Sequence, residues 1–284
     1  MGLMANIRYE RLEIHKIPSI ENVPIGFWEH RVKEVSHPEF KGVFVLPNRD
    51  EAARFTAEKI LEIVKEKPDA AITLPSSNQG NSVLEKVVSL SKERGISFDQ
   101  VQFFHLDEYF PITADNQYSF RANLREKIWN PLGIPKEHIH EIAANPKSDG
   151  NIVASNYEAE LANVEIDLVL HPIGPDGHMG FNEAGTSKDS LTHLTKLSEK
   201  TLYRDHVVRG QDSPDYAITQ GIATIMRAKK ILFIDFSADY KEFMKDALYG
   251  PISEMNPSSL LRNVGQKVEV ITTNEIASHI LPAK

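Results

Sequence analysis

The sequence has 284 residues, of which 41% are hydrophobic, so a single α/β domain can bury a large core. The formal charge of −8 and the dispersed Lys and Arg residues exclude the basic surface that binds a nucleic-acid backbone, and the absence of cysteine excludes disulfides, thiolate zinc sites and a cysteine nucleophile. No apolar run reaches membrane-spanning length and no secretory leader follows Met1, which predicts a cytoplasmic protein with neither a membrane nor a nucleic-acid partner.

The chain divides into a short extension and one large domain. Residues 1–42 are mixed in character, and prolines interrupt any long element there, although Phe27 and Trp28 can dock on a core. We therefore interpret residues 1–42 as an N-terminal extension packed on the core, and residues 43–284 as the main domain.

The main domain begins with a predicted helix. The segment Asn48-Arg-Asp-Glu51 resembles a capping box, and apolar residues such as Ala53, Ala57 and Ile60 recur at helical spacing. Pro68 ends this pattern, because proline is not tolerated inside a helix.

A short apolar strand over 70–74 is followed by a polar loop that contains Ser76, Ser77 and Asn78, and then by a helix predicted over 83–92. Backbone N–H groups at the N-terminus of such a helix can bind an anion. An ordinary serine N-cap would use the same residues, so both interpretations remain open at this point.

Another strand ends in two adjacent acids. The apolar run from Val101 leads to Asp107 and Glu108, and because side chains alternate along a strand, only one of the two can point easily into a given site. We select Asp107 as the candidate. A helix is predicted over 118–129, with one apolar face.

The stretch around which the chain is organised is an apolar strand that leads into a glycine-rich loop. The run from Ile166 to Leu170 is typical of a buried strand in a parallel sheet, and the loop after it carries Asp176, His178 and Glu183. Open α/β sheets bind ligands at the carboxyl ends of their strands. A carboxylate that holds one ring nitrogen of a histidine leaves the other free to carry a proton, so the loop has the groups that proton transfer needs.

The segment from Glu183 to Pro214 is polar, irregular and long enough to form a lid beside a site. Beyond it we predict a helix over 217–228, a strand over 231–236, a helix over 240–248 and a final strand over 268–272. Strand and helix alternate throughout, which predicts an α/β fold: a Rossmann-like, mostly parallel sheet with helices on both faces, in a single domain.

Four separated motifs carry a family resemblance. They are Leu106-Asp-Glu-Tyr109, Ile173-Gly-Pro-Asp-Gly-His-Met-Gly-Phe-Asn-Glu-Ala-Gly185, Ala217-Ile-Thr-Gln-Gly-Ile-Ala-Thr224 and Pro257-Ser-Ser-Leu-Leu261. Together they resemble the glucosamine-6-phosphate deaminase/isomerase family, in the same order from about residue 43 to the C-terminus. The Phe-Asn-Glu after the histidine resembles the deaminases rather than the related 6-phosphogluconolactonases, which share the Gly-x-Asp-Gly-His core.

The resemblance implies a reaction and a role for each candidate residue. The family converts glucosamine 6-phosphate and water to fructose 6-phosphate and ammonia, with no cofactor and no metal. By resemblance, Asp107 is the base that moves a proton from C2 of the open-chain sugar to C1. His178 opens the sugar ring, and Asp176 and Glu183 orient and polarise it. The implied partner is a small-molecule amino sugar phosphate, with glucosamine or galactosamine as the sugar, and a homo-oligomer is implied as well.

The phosphate-binding part of the sequence departs from the family. Where the family carries Thr-Gly-Gly-Thr-Pro, this chain has Ser76-Ser-Asn-Gln-Gly80. The family's phosphate lysine is matched by Lys241 if one residue is inserted, and its arginine partner by Arg209 or Arg204. The substrate-binding candidates are Ser76, Ser77, Asn78, Gly177, Arg209 and Lys241. The family's Gly-Gly is replaced by His171-Pro172, which adds a second imidazole near the site.

Two other kinds of function remain open from the sequence. The fold could retain its pocket as a sugar-phosphate sensor, although a sensor has no need of a poised base. A related sugar-phosphate hydrolase, or a metal-dependent one, is the other alternative, because several side chains could converge as nitrogen and oxygen ligands. These are His105, Asp107, His171, Asp176, His178 and Glu183. His105 lies in an apolar run that is typical of a core histidine.

Overall fold

The structure, a computed structural model, describes residues 31–208, 210 and 212–281. Its strands are β1 (Lys33–Val35), β2 (Gly42–Leu46), β3 (Ala71–Leu74), β4 (Gln102–His105), β5 (Asp107–Phe110), β6 (Ile139–His140), β7 (Leu168–Pro172), β8 (His193–Lys196), β9 (Tyr216–Thr219), β10 (Lys230–Asp235) and β11 (Val268–Thr273). They form an eight-stranded sheet in the order β1-β2-β11-β10-β7-β3-β4-β6 and a three-stranded sheet in the order β5-β9-β8. In the larger sheet every pair is parallel except β1 with β2.

The α-helices are α1 (Arg49–Glu66), α2 (Asn78–Arg94), α3 (Phe120–Leu124), α4 (Asn130–Leu132), α5 (Gly150–Leu161), α6 (Glu199–Tyr203), α7 (Ile222–Met226), α8 (Lys241–Tyr249) and α9 (Asn274–Ile280). Single π-helical turns extend α3 over Arg125–Trp129 and α6 over Arg204–Val208, and 3-10 segments cover Lys136–His138, Ala238–Tyr240 and Pro257–Lys267. None of the helices in the described residues is both long and apolar enough to cross a membrane.

Helices cover both faces of the large sheet, as predicted. Along β10, Ile231 and Phe233 face a core that includes side chains of α8 and α9, whereas Leu232 and Ile234 face a core that includes side chains of α1 and α2. This alternation, with apolar residues on both sides, is the pattern of a strand buried on both faces. The prediction of a Rossmann-like, mostly parallel sheet in a single domain is confirmed.

The start of α1 follows the predicted capping. The Asn48 side chain accepts a hydrogen bond from Glu51 N–H (3.0 Å), and the helix ends at Glu66, before Pro68. In contrast, α2 begins five residues before the predicted start. Ser77 caps this helix, because its Oγ accepts a hydrogen bond from Gly80 N–H (3.0 Å).

The helix predicted over 217–228 is wrong in its first half. Residues Tyr216–Thr219 form β9, which pairs antiparallel with both β5 and β8, and α7 begins only at Ile222. Backbone pairing with two neighbouring strands overrides the local apolar pattern here. Gly221 joins strand to helix where a Cβ atom would lie 2.2 Å from Ser190 O. The correction matters for the site, because β9 places Thr219 opposite Asp107.

Two further boundaries differ from the prediction. The strand expected over 166–170 is β7, two residues later, which brings His171 and Pro172 into the sheet. The helix expected over 118–129 begins at Phe120, where Ser119 caps it, and its last turn is π-helical.

The described end of the predicted N-terminal extension packs on the sheet. Within residues 31–42, β1 adds an edge strand to β2, Phe40 is buried, and Lys41 N–H donates to Gly265 O (2.9 Å). Residues 1–30 lie outside the described residues. The division of the chain at residue 42 therefore stays a prediction.

Candidate active site

The glycine-rich loop after β7 forms a tight turn that holds His178 against the backbone. Gly174 N–H donates to His178 O (3.3 Å), and Gly177 N–H donates to Gly174 O (3.1 Å). A Cβ atom at Gly174 would lie 2.1 Å from the His178 ring, and Gly177 has a φ of +79°. Both positions therefore require glycine for the turn to close.

Asp176 places its carboxylate directly beside the His178 imidazole. Asp176 Oδ1 lies 2.6 Å from His178 Nδ1, and Lys200 Nζ lies 3.9 Å from Asp176 Oδ2. Burial acts to raise the pKa of Asp176, but the contact with His178 and the charge of Lys200 outweigh burial and lower this pKa to about 2. Asp176 is therefore ionised at neutral pH. Its position at Nδ1 leaves Nε2 of His178 as the nitrogen that can exchange a proton with a substrate.

A cavity of about 450 Å³ lies beside this turn, at the carboxyl ends of the parallel strands. His178 and Asp107 both line it, together with Ser76, Ser77 and Asn78 from the polar loop after β3. The structure thus brings three separate predicted segments to one cavity. The cavity is also lined by Arg204, one of the two arginines considered for the phosphate. Lining residues that are not candidates in the sequence analysis include Gln117, Tyr118, Phe120, Asn123, Phe181 and Tyr240.

Four of these additional lining residues share a position that is recognisable in the sequence. Gln117, Tyr118, Phe120 and Asn123 all lie shortly after β5, on the segment that follows the strand of Asp107. Segments that follow strand ends often carry binding residues, and this position could have marked the four residues. The Phe120 ring stacks on Phe181 from the histidine loop, with centroids 5.8 Å apart, so the two segments share an aromatic wall.

Asp107 is the buried carboxylate of the cavity. It begins β5, lies opposite Thr219 of β9, and is only 6% exposed. Burial disfavours the charged carboxylate and the neighbouring Glu108 adds a like charge, so that the pKa of Asp107 is raised to about 8. A group with this pKa is mostly protonated at pH 7 and becomes a base as the pH rises or as a cation approaches.

Glu108 points away from the cavity, as strand alternation predicts. Its carboxylate accepts hydrogen bonds from Ser119 Oγ (2.7 Å), Phe120 N–H (2.9 Å) and Arg121 N–H (3.0 Å). Glu108 therefore fixes the start of α3, and Asp107 is the member of the pair that lines the cavity.

Glu183 holds the start of α6, in the segment that was expected to be irregular but also contains β8 and a π-helical turn. Its carboxylate accepts hydrogen bonds from Ser198 N–H (2.8 Å), Ser198 Oγ (3.0 Å) and Thr201 Oγ1. Within the described part of the chain, the hydrogen bonds found for the Glu183 carboxylate all go to these two residues. The expected role of Glu183 in orienting His178 is not supported by this geometry.

The polar loop after β3 both caps α2 and lines the cavity. Ser76 Oγ donates to Asn123 Oδ1 (2.9 Å), while Ser77 caps the helix as described above. The first backbone N–H groups of a helix have no partner within it and carry the positive end of its dipole. The first turn of this 17-residue helix, which begins at Asn78, therefore offers donors to an anion in the cavity.

Two predicted substrate contacts do not line the cavity. Gly177 instead turns its carbonyl to Ser258, whose N–H donates to it (2.8 Å). Lys241 is the first residue of α8, and the residue before it, Tyr240, lines the cavity in its place. Tyr240 ends the 3-10 turn over Ala238–Tyr240, which lies between β10 and α8.

Of the two arginines considered for the phosphate, Arg209 lies outside the described residues. Arg204 lines the cavity and donates from Nε to Asp205 Oδ1 (3.1 Å). The guanidinium of Arg204 is thus held in place by an acid that is itself fully buried.

The six side chains considered as metal ligands do not gather. In the described part of the chain there is no group of three or more His, Cys, Asp or Glu side chains placed to hold a metal ion. His105 is fully buried with its ring 6.4 Å from that of Trp129, as predicted for a core histidine.

Known proteins resemble this chain over most of its length. Residues 48–270 match the family described as glucosamine-6-phosphate isomerases/6-phosphogluconolactonase. The glucosamine-6-phosphate deaminase of Pseudoalteromonas translucida is 31% identical over 239 residues, 83% of this chain and 89% of the relative. That of Shouchella clausii is 32% identical over 235 residues, 81% of this chain and 94% of the relative.

Solved structures agree with the sequence relatives. A monomeric glucosamine-6-phosphate deaminase has a TM-score of 0.78 and 29% identity, covering 83% of this chain and 98% of its own. The 6-phosphogluconolactonase from Trypanosoma cruzi shares the fold, with a TM-score of 0.68 and 19% identity over 88% of this chain and 99% of its own. The protein therefore belongs to the glucosamine-6-phosphate isomerase/6-phosphogluconolactonase family.

Proposed function

We propose that this protein is an amino-sugar-phosphate deaminase/isomerase. It converts glucosamine 6-phosphate or galactosamine 6-phosphate and water to the ketose 6-phosphate and ammonia. One observation carries the proposal: Asp107 and His178 line the same cavity, and Asp176 contacts His178. The pKa of Asp107 is raised, whereas that of Asp176 is lowered. Such a site can transfer protons to and from both carbon and oxygen.

His178 performs the first step, the opening of the sugar ring. Nε2 accepts the proton of the anomeric hydroxyl and returns a proton to the ring oxygen. As the C1–O5 bond breaks, its electron pair stays on O5, and the electron pair of the former O–H bond forms the C1 carbonyl. During the transfer the imidazole is positively charged, and ionised Asp176 at 2.6 Å stabilises that charge.

Asp107 performs the second step. Its carboxylate removes the proton from C2, and the electron pair of the C–H bond forms a C1–C2 double bond. The π electron pair of the C1 carbonyl moves to the oxygen of C1, which takes the proton that the 2-ammonium group gives up, so that the nitrogen regains its lone pair. Return of the proton to C1 lets the nitrogen lone pair form a C2–N double bond. Water then adds at C2, the C–N bond breaks, and ammonia and the C2 ketone are released.

The charge of the substrate favours an amine over a lactone. Asp107 must be ionised to act as a base, and its surroundings raise its pKa to about 8. A 2-ammonium group beside Asp107 supplies the positive charge that favours the carboxylate form, whereas a sugar lactone has no such charge. The amino sugar thus helps to prepare the base that acts on it.

The cavity also has donors that suit a phosphate. The N-terminal turn of α2 and Arg204 both line it, and N–H groups, hydroxyls and a guanidinium are the donors that bind phosphate in proteins. Hydroxyls and an amide from Ser76, Ser77 and Asn78 replace the family's glycines in this role.

The experiment is to measure ammonia and ketose release from glucosamine 6-phosphate, galactosamine 6-phosphate and unphosphorylated glucosamine, with and without a chelator. We expect release from a phosphorylated amino sugar that the chelator does not change. Release that the chelator abolishes would favour a metal-dependent reaction. Tight binding without release would favour a sensor.

Location and assembly belong to the proposal as well. The resemblance implies a cytoplasmic homo-oligomer, whereas the similar solved deaminase is described as monomeric. Light scattering of the full chain at micromolar concentration distinguishes the two, since a homo-oligomer has a multiple of the 32.0 kDa chain mass.

A further inference from the structure

His171 is a buried histidine at the centre of the large sheet that the proposed chemistry does not use. It lies on β7, is 0% exposed, and does not line the cavity. Its ring stacks on Phe233 of the neighbouring β10, with centroids 5.3 Å apart and planes 11° apart. Burial, followed by the nearby charge of His178, lowers the pKa of His171 to about 3. The imidazole is therefore neutral at every physiological pH and has one donor and one acceptor nitrogen.

Ser258 connects this imidazole to the catalytic turn. Its Oγ lies 3.4 Å from His171 Nε2, and its backbone N–H donates to Gly177 O at 2.8 Å. Gly177 is the residue between Asp176 and His178. Ser258 is itself 0% exposed, so neither of its contacts is exchanged with bulk water.

Asn256, two residues before Ser258, packs its side chain against Gly177. A Cβ atom at Gly177 would lie 2.1 Å from Asn256 Oδ1, and the Asn256 amide in turn donates to Phe243 O (3.3 Å). The turn of Asp176 and His178 thus rests on the segment from Asn256 to Ser258. The Ser258 side chain of this segment is in turn held by His171 of β7.

We infer that His171 is a positioning residue, which through Ser258 fixes the turn that carries Asp176 and His178. The inference rests on the proposed function, in which this pair opens the sugar ring. Asp107 lies on a different sheet, β5-β9-β8, and is not supported by Ser258. Loss of the His171 contact therefore slows ring opening and leaves the C2 proton transfer unchanged.

The test compares His171→Leu, which keeps the volume and removes both nitrogens, with His171→Gln, which can return a polar atom near the Nε2 position. For His171→Leu we expect kcat on glucosamine 6-phosphate to fall about tenfold with KM within about twofold, and for His171→Gln we expect most of kcat to return. Ser258→Ala should equal His171→Leu. The double variant should show no further loss, because both substitutions remove the same contact.

Two readouts separate positioning from a general loss of structure. With substrate deuterated at C2, the isotope effect on kcat should fall toward 1 in His171→Leu, because ring opening and not C2 proton transfer then limits turnover. The nitrogen-15 shifts of the His178 ring should also change, since its contact with Asp176 loosens. Thr272→Val is the matched control. Thr272 is a buried polar residue on β11, of the same large sheet, and this substitution should change neither readout.

The outcomes keep the two proposals apart. If the wild-type protein releases no ammonia, the proposed function fails, and the nitrogen-15 shifts of His178 still decide the positioning role. The inference is overturned if His171→Leu leaves kcat and the His178 shifts unchanged, or if the effects of His171→Leu and Ser258→Ala multiply. If His171→Leu does not fold, Ser258→Ala alone carries the same expectations.

Discussion

Asp107 and Asp176 are both aspartates of one candidate site, yet their pKa values are shifted in opposite directions. Asp176 lies 2.6 Å from an imidazole and 3.9 Å from an ammonium group, and its pKa is lowered to about 2 in spite of burial. Asp107 has burial and the like charge of Glu108, and its pKa is raised to about 8. The surroundings, and not the residue type, therefore keep Asp176 ionised at neutral pH and leave Asp107 mostly protonated there, which suits the base that we propose.

Asp235 shows that a raised pKa alone does not mark a catalytic residue. It ends β10, is 0% exposed, and burial raises its pKa to about 7. However, it does not line the cavity, and its Oδ1 accepts a hydrogen bond from Ser237 N–H (3.0 Å). What distinguishes Asp107 is the combination of a raised pKa with a position on the cavity wall.

The largest effect is expected from removing the base. Asp107→Asn keeps the shape of the side chain but removes its proton-accepting oxygen, so kcat for ammonia release should fall by about 10²–10⁴ with substrate binding retained. Steady-state kinetics measures kcat, and calorimetry measures substrate binding. Asp235→Asn is the matched control, because it neutralises another buried carboxyl away from the cavity, and its kcat should stay within about twofold of wild type. Equal losses in the two variants would contradict the assignment.

A smaller effect is expected from neutralising the partner of His178. Asp176→Asn removes the charge that stabilises the imidazolium and presents an amide to Nδ1, so kcat should fall by about 10², the lower end of the range for acid–base groups. Ring opening then limits turnover, and the isotope effect with C2-deuterated substrate should decrease. An isotope effect that increases would instead show that Asp176 acts on the C2 proton transfer.

The pH dependence of the wild-type protein compares the two carboxyls directly. A base with a pKa of about 8 is ionised only above that pH, so kcat/KM should rise about tenfold per pH unit up to roughly pH 8 and then level off. Asp176 remains ionised throughout this range, so its titration should not change the slope of the pH profile. A profile that is flat from pH 6 to 8 would show that Asp107 is not the base in the free protein.

Much of the fold was predictable because it depends on local periodicity. Apolar runs and a capping asparagine were enough to place α1, β3, β10 and β11 within a few residues of their observed bounds. The helix expected over 217–228 failed because residues Tyr216–Thr219 are held by two strands that are distant in sequence. A pattern within the segment itself contains no information about such partners.

The site divides in the same way. The positions of Asp107 and His178 at the cavity could be expected from the sequence, since Asp107 begins a strand, His178 lies in the loop after another strand, and both belong to recognisable motifs. Their catalytic roles stay predictions. Tyr240 was not among the candidates and Arg204 was only the alternative to Arg209. The sequence pattern of these segments does not show the 3-10 turn that ends at Tyr240 or the π-helical turn that begins at Arg204. Glu183 follows the motif in sequence, but Ser198 and Thr201, which bind it, lie on a helix that folds back over the loop.

The smallest effect concerns the phosphate and compares Arg204 with Lys241. Arg204 lines the cavity and Lys241 does not, so Arg204→Gln should raise KM for glucosamine 6-phosphate about tenfold, while Lys241→Ala should change it by less than about twofold. In both variants kcat should vary little, because the phosphate is bound equally in the ground and transition states. Unphosphorylated glucosamine is the control substrate, and its KM should not respond to either substitution. A larger effect of Lys241→Ala would show that α8 moves its first residue into the cavity when substrate binds, and that Lys241 and not Arg204 binds the phosphate.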